Sequence, residues 1–87
     1  MMFDLDTVME KVVYASKNEK TFVKAFKETD DTFILMDRCS GNLFFKVTPN
    51  KIEIEELGRN WHHTITTMEE LYEFINVVIY DIDPYIG

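Results

Sequence analysis

Apolar residues recur along this chain with two different periods, and the switches between them mark out its elements. Over residues 4–17, Leu5, Val8, Met9, Val12 and Ala15 or Ser16 return at helical spacing. About 3.6 residues per turn put such positions on one face, so the pattern predicts a helix. Asp4 or Asp6 is placed to cap it, Thr7 with Glu10 fits a capping box, and Asn18 stops it. Residues 20–28 fit both periods. Phe22, Val23, Ala25 and Phe26 share one helical face, but Thr29-Asp30-Asp31 looks like a hairpin turn and favours a strand.

The middle of the chain is strand-like. Residues 32–38 form a continuous apolar run, which predicts a central strand covered on both faces. Ser40-Gly41-Asn42 turns the chain, and Leu43, Phe45 and Val47 then alternate with Phe44, Lys46 and Thr48. After Pro49-Asn50, Ile52 and Ile54 alternate with Glu53 and Glu55. After Gly58-Arg59-Asn60, Trp61, His63 and Ile65 share a face. A second helix follows. Thr67 and Glu70 form a capping box, Glu69 and Glu70 suit the helix dipole, and Met68, Leu71, Tyr72, Ile75, Val78 and Ile79 make its apolar stripe. Pro84 cannot continue it. The expected fold is α+β: an N-terminal helix, an antiparallel β-meander of four to five strands and a C-terminal helix, in a two-layer sandwich. Residues 1–87 make one domain.

Composition supports a folded core, with 46% apolar and 14% aromatic residues in 87. Cys39 is the only cysteine, so no internal disulfide forms, which suits a reducing compartment. The start has no basic stretch followed by an apolar run, and nothing approaches the roughly 18 apolar residues of a membrane span. A cytoplasmic protein without signal peptide or membrane contact is expected.

Charge changes the picture most. Residues 1–51 carry eight acids and eight bases, whereas residues 52–87 carry eight acids against Arg59 alone. The net charge of −7 therefore resides in residues 52–87. Such a surface disfavours direct nucleic-acid binding, which needs Lys or Arg. Glu53 and Glu55 point to the same side of a strand, and Glu69, Glu70 and Glu73 cluster on one helix. Carboxylates spaced in this way imitate a row of phosphates, so the expected partner is a basic protein surface, such as that of a nucleic-acid-binding enzyme. Glu53, Glu55, Glu69, Glu70 and Glu73 are the candidate partner-binding residues, with Asp81 and Asp83 as auxiliaries. A plain solvated surface is the simpler account of the same acids; the neutrality of the first half favours function, because a solubility device need not be one-sided.

In size and charge the chain is similar to small phage-borne inhibitors of host defence, anti-CRISPR and anti-restriction proteins among them. Two readings stand beside it. One is a regulatory or structural oligomerisation module, such as a homodimer through a sheet edge or the aromatic tail. The other is an immunity or antitoxin protein neutralising a basic nuclease.

Other constellations carry less. His62 and His63 point to opposite faces of a strand and cannot share a metal, and Cys39 lies far from both, so no metal or cofactor is expected. Cys39-Ser40-Gly41 has no visible base, and Asp37 is the only semi-buried carboxylate candidate. There is no Gly-rich phosphate loop, so no catalytic residue is assigned and a non-enzymatic protein is expected. Met9, Met36 and Met68 read as core filler, and Ile82 and Tyr85 of the tail as interface anchors or as cover for the core.

Overall fold

The computed structural model describes residues 2–16, 22–37, 42–56 and 61–79, and the side chains of these apart from Ser16, Phe22, Val23, Lys24, Asp37, Trp61, Val78 and Ile79. Asp4 sets the start of the first helix. Its carboxylate accepts hydrogen bonds from the backbone N–H and the hydroxyl of Thr7, both at 3.0 Å, which satisfies donors that the first turn leaves open. Helix α1 then runs over Leu5–Ser16. Just before it, the Phe3 N–H donates to the Pro49 carbonyl at 2.9 Å and ties the N-terminal stretch to a sheet turn.

Five strands follow: β1 (Phe22–Lys27), β2 (Thr32–Asp37), β3 (Asn42–Val47), β4 (Ile52–Glu56) and β5 (Trp61–Ile65). They pair antiparallel in chain order, as a meander does. Of the stretch 20–28 that fits both periods, Phe22–Lys27 is strand, paired with β2; a bulge lies between Phe22 and Lys24. Helix α2 (Met68–Phe74) begins at Thr67, whose side chain accepts from the Glu70 N–H, and continues as a one-turn π-helical stretch over Ile75–Ile79.

Alternation along the strands sends Phe33, Leu35, Leu43, Phe45, Val47, Ile52, Ile54 and Ile65 to one face, where Val8, Val12, Leu71, Phe74 and Ile75 of the helices meet them. Helix α1 lies on β1 and β2 and against the π-helical stretch, and α2 lies by β5. Both helices thus cover the same side, which is the two-layer α+β sandwich. Phe45 is its centre: its ring stacks on Phe33 at 4.4 Å and meets Phe74 edge-on at 6.0 Å.

Three details differ from the sequence reading. Among the described residues, helices cover only one face of strand β2. Ile34 and Met36 lie on the open side, and Ile34 reaches 9% exposure among cross-strand neighbours that include Phe26 and Phe44. Met36 is accordingly outside the core cluster. On α2 the stripe is rotated: Phe74 is buried and Tyr72 is 48% exposed, because the helix sits at the β5 end of the sheet and turns Phe74 toward Phe45.

Candidate functional site

The two layers divide the candidate carboxylates. Glu53 and Glu55 alternate with the buried Ile52 and Ile54, so they point out of the open sheet face, away from the helices. There Glu53 bridges to Lys51 at 3.1 Å and stands opposite Lys46 on β3. Glu55 lies between Phe44 and His62 in register. Basic neighbours thus offset the Glu53 charge, and this face is mixed rather than acidic.

Glu69, Glu70 and Glu73 belong to α2, in the other layer. Glu70 completes the cap: its carboxylate accepts from the Thr66 hydroxyl at 2.8 Å and the Thr67 hydroxyl at 3.3 Å, while its N–H donates to Thr67 at 3.1 Å. The bond from Thr66 holds the Glu70 carboxyl below its ordinary pKa; desolvation opposes this, and Thr67 and the charge of His63 add to the lowering. Its role is therefore structural as well as electrostatic. Glu69 and Glu73 stay exposed, one turn apart, with about 5–6 Å between such Cβ atoms.

The first helix brings two further acids to this side. Asp6 and Glu10, also one turn apart, are exposed on α1. Among the described residues of the helix layer and its leading segments, Asp4, Asp6, Glu10, Glu69, Glu70 and Glu73 face a single base, Lys11. Among the described lysines, Lys46 on β3 and Lys51 in the β3–β4 turn lie on the open face, whereas Lys27 on the edge strand β1 is in register with the buried Phe33 and so belongs to the helix-covered face of the sheet. The sequence reading missed Asp6 and Glu10 because it counted charge by stretch of chain. The available signal was their spacing on the polar face of a helix that packs in the same layer as α2.

A groove of about 490 Å³ runs between the helices, lined by Glu10, Lys11 and Tyr14 on one side and Tyr72, Ile75 and Asn76 on the other. Lys11 crosses it. Its Nζ lies 5.5 Å from the centre of the Tyr72 ring and 3.4 Å from the phenol oxygen.

Elsewhere, His63 stacks on Phe74 at 6.0 Å at the edge of the core, and His62 is exposed on the open face. Among the described residues no group of three or more His, Cys, Asp or Glu could hold a metal ion, and no helix is long and apolar enough to cross a membrane. Asp81, Asp83 and the rest of the tail, together with Cys39, lie outside the described residues, as does the side chain of Asp37. Comparison with protein-family models, curated proteins and solved structures finds no match to this chain.

Proposed function

We propose that this protein is a non-enzymatic inhibitor that lays its acidic helix layer on a basic, nucleic-acid-binding surface of a partner protein. The observation that carries this reading is the pairing of Asp6 with Glu10 and of Glu69 with Glu73 on neighbouring helices, whose described residues include Lys11 as their one lysine or arginine. Like charges one turn apart cost a few tenths of a kcal/mol per pair. An arrangement that tolerates this twice on one surface is complementary to a partner rich in Lys and Arg, where the same carboxylates gain steering and charge-assisted hydrogen bonds. Glu53 and Glu55 belong to the opposite face and serve as auxiliaries at most. A basic nuclease neutralised by an immunity-type protein presents the same electrostatics and falls within the proposal.

The test is capture of partners from lysate on immobilised protein at low salt, followed by elution with duplex DNA. A partner that DNA displaces supports the reading. A partner that stays bound in excess DNA and at high salt contradicts it, because a decoy and its model compete for one site and charged contacts are screened.

The sheet edges favour a second reading, self-association. Strand β1 is guarded by a bulge and by Lys27, whereas β5 pairs in unbroken register and carries no proline, lysine or acid over Trp61–Ile65. Light scattering decides it: a dimer that Thr64→Pro converts to monomer would place the contact at β5.

A further inference from the structure

We infer that the groove between α1 and α2 receives an arginine side chain of the basic partner, held between the rings of Tyr14 and Tyr72 with Glu10 beside it. The inference rests on the reading of the helix layer as an acidic docking face and names the contact that gives that face selectivity.

Three observations converge. First, both tyrosines are unusually open for aromatic residues on packed helices, Tyr14 at 69% and Tyr72 at 48% exposure, and they line one groove of about 490 Å³ from opposite sides. Second, the groove already holds a cation of the chain's own: the Lys11 ammonium lies 5.5 Å from the Tyr72 ring centre. At 3.4 Å from the phenol oxygen it sits at the hydroxyl edge of the ring and does not cover its face. Third, Glu10 lines the same groove, and Tyr14 follows it by one helical turn, so a carboxylate and an aromatic face lie side by side on α1. Glu69 and Glu73 flank Tyr72 in sequence on α2, so the surroundings favour an incoming cation.

A guanidinium suits this place better than an ammonium. It is planar, stacks on aromatic faces, is weakly hydrated and presents a fork of donors to a carboxylate. Lys11 stays at the Tyr72 hydroxyl, beside the ring face on which the partner's arginine stacks, and its charge opposes that arrival.

The test uses hexa-arginine and hexa-lysine peptides, equal in charge, with affinities measured at low salt and the tyrosine ring resonances followed by NMR. The arginine peptide should bind about two- to fivefold tighter per ring engaged and shift the Tyr14 and Tyr72 rings. The double variant Tyr14→Leu, Tyr72→Leu should bring the two peptides to equal affinity, with an unchanged circular dichroism spectrum showing that it is folded. Lys11→Met should tighten the arginine peptide, the opposite of what an anion-binding groove would do. Unmoved rings, an arginine preference that survives the double variant, or weaker binding by Lys11→Met would overturn the inference and leave the acidic-face reading standing. Failure of both peptides to bind at low salt would sink that reading as well.

Discussion

Replacing Phe45 by alanine removes the side chain on which both layers converge. Phe45 is fully buried, stacks almost parallel on Phe33 with an interplanar angle of 5°, and meets Phe74 of α2 at 87°. Truncating a buried phenylalanine costs about 3–5 kcal/mol, including the cavity left behind. Each aromatic pair accounts for about 0.5–1.5 kcal/mol of such interactions. At about 0.05–0.15 kcal/mol per residue, a chain of this length has roughly 4–13 kcal/mol of stability in all. The variant should therefore lose a large share of its stability while Phe26→Ala, at a position 40% exposed on the open face, loses less than half as much. Urea unfolding followed by far-ultraviolet circular dichroism measures both. With a slope of about 1.5 kcal/mol per molar urea, the midpoint of Phe45→Ala should fall by roughly 2–3 M. A loss below about 1 kcal/mol, or one equal to that of Phe26→Ala, would refute the placement of Phe45 at the junction of sheet and helix.

Other consequences follow from the caps and turns. Thr67→Ala removes the acceptor for the Glu70 N–H and should cost about 1 kcal/mol, read as a lower thermal midpoint; an unchanged midpoint would show that the cap contributes nothing. Because Glu70 has its carboxyl pKa lowered by folding, its stabilisation is complete above the unfolded value of 4.5 and is lost as pH falls through the lower folded value. Glu70→Gln should flatten that acid limb, and an unaltered limb would contradict the assignment. Thr32 is buried at 6% exposure with its hydroxyl 2.6 Å from that of Thr29. Thr32→Val should cost about 1 kcal/mol by breaking that pair, whereas a stabilised variant would mean the hydroxyls are dispensable.

Much of the fold was legible in the sequence because its periodicities are clean. Ile52 and Ile54 alternate with glutamates, Leu43, Phe45 and Val47 with less buried residues, and Thr67 with Glu70 marks the start of α2 without ambiguity. The errors fell where local pattern gives way to packing. Ile34 and Met36 look like core residues in a run of apolar neighbours, yet neither described helix reaches their side of β2. Tyr72 and Phe74 exchange roles because the rotation of α2 is set by its place beside β5 and by the ring of Phe45, neither of which a helical wheel contains. The acidic surface was only half legible. Charges were assigned to a stretch of chain, whereas the sandwich sorts them by layer: Asp6 and Glu10 come to stand with Glu69 and Glu73, and Glu53 and Glu55 leave for the far face.

That sorting can be tested with two variants that change charge by the same amount. Glu10→Lys with Glu73→Lys nearly neutralises the helix layer, and Glu53→Lys with Glu55→Lys makes the open sheet face basic; all four positions are at least partly exposed, so both variants should fold. The affinity of each for the partner that DNA displaces, measured side by side at fixed salt, separates a localised field from a merely negative protein. A loss of at least about tenfold confined to the helix-layer variant, equivalent to about 1.4 kcal/mol, is the result predicted. Equal losses in the two variants, or a larger one on the sheet face, would contradict the account.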